Sequence, residues 1–196
     1  MKRARLFLLF ATYVLSAASI TAEPLTTPID PTQLPQVKRT PQQKYLTSID
    51  AYRLLERDPD ILFVDVRDPV EVMIYGHPRF IDAIVPVRAQ STEFDDDLKQ
   101  WVLKDNPNFV MYMDQALDHY GKTRDDMIIV TCGSGWRSAE AARQLHEAGF
   151  TDVWHIPDGY EGEDRKGFNI HNAWQLAGLP WSYDRVHGSQ RLRIIR

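Results

Sequence analysis

Two unbroken apolar runs of strand length set the possibilities for this chain, Ile61 to Val64 and Met127 to Val130, and Val153-Trp154-His155-Ile156 reads as one more short strand. A strand that is apolar at every position must bury both faces, which is the pattern of a parallel sheet covered by helices on each side. A fourth short run spans 81–87. The stretches between these runs read as helices. Ser48 is placed to cap one that carries Ile49, Tyr52, Leu54 and Leu55 and stops before Asp58-Pro59. Residues 93–121 read as two helical pieces parted by Asn106-Pro107, the first with Trp101, Val102 and Leu103, the second with Phe109, Val110, Met113 and Leu117. A further helix over 137–148 shows Ala139, Ala142 and Leu145 on one face, with Gly149 as its C-terminal stop. Strands alternating with helices predict an α/β domain with a central parallel sheet.

The 196 residues, 43% of them hydrophobic, supply one domain with extensions. Lys2, Arg3 and Arg5 precede an apolar run over 6–20, and small residues lead to Ala22 before Glu23-Pro24. This is the pattern of a signal peptide over 1–22, cut after Ala22 with Ala18 as the fallback site. The run falls short of the roughly 20 apolar residues that a spanning helix needs. The expectation is a periplasmic or secreted protein with no stable membrane insertion after cleavage; an uncleaved anchor is the alternative. Loss of the three basic residues in 1–22 takes the formal charge from −4 to −7, which disfavours nucleic acid as a partner. Five prolines between Glu23 and Lys44 predict an extended linker or a strap over the domain. The basic tail over 184–196, with Arg185, Arg191, Arg193 and Arg196, reads as a solvated end.

A single cysteine, Cys132, excludes an intramolecular disulfide and any multi-cysteine metal site. Met111 and Met113 with His119 offer soft ligands for copper, but at helical spacing they read as core. Asp95 to Asp97, and Glu161 with Glu163 and Asp164, lack a calcium-loop pattern and read as solvated charge. None of these patterns is read as a metal site. The informative segment is Cys132-Gly133-Ser134-Gly135-Trp136-Arg137-Ser138, which joins an apolar strand to a helix. Ligands of open parallel sheets bind at the carboxyl ends of strands, and Cys132 sits at such an end. Gly133 and Gly135 let the loop turn its N–H groups inward. Those amides and the helix dipole favour a thiolate, and Arg137 adds a fork suited to an oxyanion. The bland alternative is a core cysteine followed by an ordinary turn.

Four pieces of the chain resemble the rhodanese-like sulfurtransferases: Val64-Asp65-Val66-Arg67 with Glu71, Gly76-His77, the loop from Cys132 to Ser138, and Ala148-Gly149-Phe150 leading to Val153. The resemblance covers about 45–183 and implies a five-stranded parallel sheet flanked by helices. It implies that Cys132 accepts sulfane sulfur as a persulfide and passes it on, chemistry that needs no metal or organic cofactor. It further implies that Arg137 with Gly133, Ser134, Gly135, Trp136 and Ser138 holds the substrate. Asp65 and Arg67 match supporting positions, which serve equally as a structural ion pair, and His77 reads as a hydrogen-bonded structural histidine. Trp136 either walls the cysteine or packs under the loop.

Related phosphatases and arsenate reductases carry one more residue between cysteine and arginine than the four found here, so sulfur transfer is the favoured reading. A non-catalytic persulfide-sensing or binding module is the other alternative. The implied partners are a small sulfur-containing anion or a thiol or persulfide donor and acceptor, with an exported redox protein among the candidates. With no second thiol in the chain, sulfur on Cys132 must leave to an external acceptor. Two stretches, 88–108 and 161–168, look longer than a minimal domain needs and are expected to border the pocket and select donor or acceptor, or else to be surface decoration.

Overall fold

A computed structural model of the protein describes residues 29–162, 173–183 and 193–194. The expected signal peptide over 1–22, the charged stretch 163–166 and most of the basic tail lie outside the described residues. Along the chain come α1 (Ser48–Arg57), β1 (Leu62–Asp65), α2 (Pro69–Tyr75), β2 (His77–Pro78) and β3 (Ala83–Ile84). Then follow β4 (Arg88–Asp95), β5 (Gln100–Asp105), α3 (Phe109–Tyr120), β6 (Ile128–Thr131), α4 (Trp136–Glu147), β7 (Val153–His155), β8 (Trp181–Ser182) and β9 (Arg193–Ile194). Among the described residues no helix is long and apolar enough to cross a membrane.

The main sheet runs β7-β6-β1-β3-β9, and each neighbouring pair is parallel. The domain body supplies four of its strands. The fifth comes from the tail, where β9 pairs with β3 through Ala83↔Arg193 and Ile84↔Ile194. The tail is therefore not wholly a solvated end: the open edge of β3 offers unpaired backbone groups, and a passing segment satisfies them. Alternation along β1 and β6 explains why the runs are apolar throughout. Leu62, Val64, Ile128 and Val130 pack with Phe109, Met113 and Leu117 of α3 and Leu145 of α4. Phe63 and Ile129 point the other way, to Leu55 of α1 and to Trp154 and Trp174.

The expected helix over the first part of 93–121 does not form. Residues 88–105 make a hairpin, β4 against β5, with Phe94 opposite Trp101 and Gln90 opposite Leu103. The local chemistry explains it. The Asp95 carboxylate accepts the N–H groups of Asp97 and Leu98 at 3.0 and 2.9 Å, and Lys99 adopts φ +54°. An aspartate that bonds its own chain two and three residues on makes a turn rather than continuing a helix, and Trp101 and Val102 then suit a strand. The second expected piece is α3, with Met113 fully buried in the core. At the start of α1 the cap is Thr47, whose side chain accepts from Asp50 N–H; Ser48 is the first helical residue, and its Oγ reaches Gly159 O at 3.4 Å.

Residues 31–44 form the strap expected as one option for this segment. Two short 3-10 turns, Pro31–Gln33 and Gln36–Lys38, lie against the domain. Arg143 of α4 donates to Val37 O at 3.2 Å and Arg39 O at 2.9 Å, and Lys38 is buried. On the opposite face Trp174 seals the layer over Phe63 and donates its indole N–H to Pro180 O at 2.9 Å. Trp174→Ala should lower unfolding free energy by about 3–5 kcal/mol, the range for deleting a fully buried aromatic. Urea unfolding checks this, and a loss under about 1 kcal/mol would show that the layer does not depend on this side chain.

Candidate active site

Three parallel strands end at one edge of the sheet. β1 ends in Asp65 and continues to Arg67, β6 runs into Cys132, and β7 leads through His155 to Pro157. Cys132 is fully buried. Its Sγ accepts the N–H of Gly135 at 3.1 Å and of Ser138 at 3.3 Å, both from the start of α4. Two amides at a helix N-terminus thus converge on the sulfur, where they stabilise negative charge. The thiol also faces Ser138 Oγ at 3.6 Å.

The shape of the loop depends on two glycines. Gly135 caps α4 with φ +89°, and a Cβ on it would stand 1.9 Å from Pro157 O. Gly159, at φ +69°, leaves room for Gly133 O, which a Cβ there would approach to 2.5 Å. The segment 157–162 therefore lies directly on the cysteine loop. Tyr160 N–H donates to Cys132 O at 2.7 Å, and Glu161 and Gly162 N–H donate to Gly133 O at 2.8 and 3.1 Å.

Arg137 does not present an empty fork. Its Nη1 and Nη2 hold Glu71 Oε2 and Oε1 at 2.5 and 2.7 Å. Its Nε is buried and has no hydrogen-bond partner among the described residues. Burial opposes the charge on Arg137, but the Glu71 hydrogen bonds and the nearby Cys132 outweigh it and hold the guanidinium above its ordinary value. Glu71 is fixed in turn, because Asp68 and Glu71 form a capping box at the start of α2.

Arg67 is sealed from solvent. It donates to both Asp65 oxygens at 2.7 to 3.1 Å, to Gly76 O at 2.7 Å and to Glu161 Oε1 at 3.0 Å, and its guanidinium lies 4.4 Å from the Tyr160 ring centroid. Burial works against its charge, but Asp65 and then Glu161 raise it well beyond the ordinary arginine value. Burial also pushes the Tyr160 hydroxyl up.

The loop residues, Asp65 and Arg67 thus meet at one place, with Ser134 half-buried within the loop. Trp136 is half-buried between the guanidiniums of Arg88 and Arg137, each 5.3 Å from its ring centroid. Arg88 also pairs with Glu140 of α4, so the base of the 88–105 hairpin borders the loop. His77 stands apart: its Nδ1 bonds Pro78 O at 2.8 Å, and it makes no hydrogen bond to the cysteine loop.

Sequence reasoning names Glu71 only within the family resemblance, reads Glu161 as solvated charge and does not single out His155, so none of the three is assigned to the site from sequence. The local signal for Glu71 is the Asp68-x-x-Glu71 capping pattern. For His155 it is a lone imidazole inside an apolar strand. Glu161 has no local signal. Among the described residues no cluster of three or more His, Cys, Asp or Glu side chains is arranged to hold a metal ion.

Asp158, nearly buried beside this loop, has its carboxyl pushed up to about 6 by burial, with Lys38 opposing. A raised folded-state value means the folded chain binds its proton more tightly, so this group costs stability as pH rises from about 4 to 6. Asp158→Asn should therefore be about 1–2 kcal/mol more stable than wild type at pH 7, and the gain should vanish by about pH 4. Thermal or urea unfolding across that range checks the sign; a gain at low pH alone would reverse it.

Comparison with known proteins agrees with this geometry. Residues 48–164 match the family model of the rhodanese-like domain. A protein of Arabidopsis thaliana named thiosulfate sulfurtransferase 16, chloroplastic, is 40% identical over 75 residues, 38% of this chain and 49% of its own length. The chain thus spans about half of that relative. An uncharacterized protein of Rickettsia prowazekii is 26% identical over 138 residues, 70% of this chain and 96% of its own. The crystal structure of Rv0390 from M. tuberculosis superposes with a TM-score of 0.53 at 27% identity, covering 72% of this chain and 98% of that one. With its parallel sheet, the cysteine at a strand end and a family match across most of the folded part, the chain belongs to the rhodanese-like domain family.

Proposed function

We propose that the protein is a sulfurtransferase in which Cys132 carries sulfane sulfur as a persulfide between an external donor and an external acceptor. The observation that carries this reading is the Cys132 sulfur held by the Gly135 and Ser138 amides at the head of α4. The Cys132 thiolate attacks the outer sulfur of the donor. The new S–S bond forms as the old one breaks, and its electron pair leaves with the donor remnant: sulfite if the donor is thiosulfate, a thiolate if it is a persulfide. An acceptor nucleophile then attacks the outer sulfur, and Cys132 departs as thiolate. No net oxidant is needed. The loop amides stabilise negative charge on either sulfur as it develops.

The surrounding charge selects among donors. Asp65, Glu71 and Glu161 place three carboxylates against the two guanidiniums of Arg67 and Arg137. Arg137 points one N–H of each terminal nitrogen at Glu71, and its buried Nε has no hydrogen-bond partner among the described residues. A site so balanced favours a singly charged persulfide over a doubly charged anion such as thiosulfate. The same balance weighs against a phosphatase, whose tetrahedral dianion needs a free guanidinium fork.

Two measurements test this. Incubation with a low-molecular-weight persulfide should add one sulfur atom to the intact mass, and Cys132→Ala should add none. No mass gain on the wild type with either persulfide or thiosulfate would end the reading. In steady-state sulfur transfer, Glu71→Gln should lower the KM for thiosulfate about five-fold, roughly 1 kcal/mol, by releasing Arg137 and removing one negative charge. An unchanged or higher KM would show that Glu71 does not govern donor charge.

A further inference from the structure

The segment matched to the family begins at residue 48, yet the strap before it reaches toward the cysteine through one side chain. His155, at the end of β7, is fully buried. Its Nε2 lies 2.9 Å from Lys38 O, and only an N–H can satisfy a carbonyl there. Nε2 therefore carries the ring proton and Nδ1 is a bare acceptor. That acceptor stands 3.3 Å from Ser138 Oγ. Burial holds His155 down to about 3 against the Lys38 carbonyl, which favours a charged ring, and the positive charges of Lys38 and Arg143 oppose it further, so it stays neutral. The Tyr45 ring packs edge-on against it at 5.2 Å between centroids.

The Ser138 hydroxyl has one proton and three claimants. Gly135 O is 3.1 Å away, His155 Nδ1 3.3 Å and Cys132 Sγ 3.6 Å. The two nearer acceptors both draw the proton away from sulfur. A hydroxyl donating elsewhere turns a lone pair toward Cys132, which suits S–H and not a thiolate. The amides of Gly135 and Ser138 work in the other direction. Of the charged groups near the sulfur, Arg137 favours the thiolate, while Asp65 and Glu71 lie against the two arginines.

We propose that His155, oriented by the Lys38 carbonyl, is a positioning residue that restrains Cys132 by drawing the Ser138 hydroxyl proton, together with Gly135 O, away from the sulfur. The strap thereby sets how readily the nucleophile ionises. A thiol held back in this way is oxidised more slowly while it waits for a donor. This inference rests on the reading of Cys132 as the sulfur carrier, and it concerns the thiol before sulfur is loaded.

The test is the rate of Cys132 alkylation by iodoacetamide on the full chain between about pH 5 and 9. His155→Leu removes one of the two nearer acceptors, leaving Gly135 O, and should react about three-fold faster on the acid side, with the midpoint of its pH profile lowered by about half a unit. His155→Gln can donate to Lys38 O and accept from Ser138, so its profile should match wild type. An unchanged or slower leucine variant would overturn the proposal, as would a glutamine variant that behaves like leucine. Should the leucine variant fail to fold, imidazole ¹⁵N NMR of the wild type decides. The proton should sit on Nε2, and Ser138→Ala should shift the Nδ1 resonance. A proton on Nδ1, or an Nδ1 resonance indifferent to Ser138→Ala, refutes it. Alkylation uses no sulfur donor, so failure here is distinct from failure to load a persulfide.

Discussion

A guanidinium sealed from water organises the carboxyl edge of the sheet. Arg67 is fully buried, and its donors go to Asp65 at the end of β1, to Gly76 O just past α2 and to Glu161 beyond β7. Stripping such a charge of water is costly, and removing one partner of a buried pair typically costs about 3–5 kcal/mol. The three segments therefore hold one another in place. Glu161 passes the constraint on, because its backbone N–H bonds Gly133 O in the cysteine loop. The position of the sulfur thus depends on an ion-pair hub that does not touch it.

Both arginines of the site are spent on carboxylates, Arg67 on Asp65 and Glu161, Arg137 on Glu71. What faces the sulfur directly is a pair of oriented amides. Dipoles fixed at a helix N-terminus stabilise a small anion without creating a large field for polyanions. That arrangement suits the singly charged persulfide proposed for Cys132. It also explains why Gly135 cannot be exchanged for a side chain, since Pro157 O occupies the space where a Cβ would go.

The extensions around the domain are not idle cover. The hairpin of β4 and β5 places Arg88 over Trp136 and against Glu140. The strap places Lys38 O on His155 and accepts two bonds from Arg143. Each extension thus braces one end of the loop or of the helix that follows it.

The apolar runs announced β1 and β6 because strands buried on both faces favour apolar residues throughout, and the short stretch Val153 to Ile156 announced β7. Cys132, its flanking glycines and Arg137 were legible because they are contiguous. The hairpin was misread as a helix because Trp101, Val102 and Leu103 look alike in either setting, and the Asp95 turn outweighed them. Glu71 and Arg137 are 66 residues apart, Arg67 and Glu161 94, and Lys38 and His155 117. The sequence by itself determined the parallel sheet, the cysteine at a strand end and the amide-bearing loop, since each rests on local periodicity or adjacency. Only the tertiary structure decided which carboxylate closes which guanidinium and that His155 faces Ser138. Those pairings arise where distant segments meet, and no local pattern encodes them.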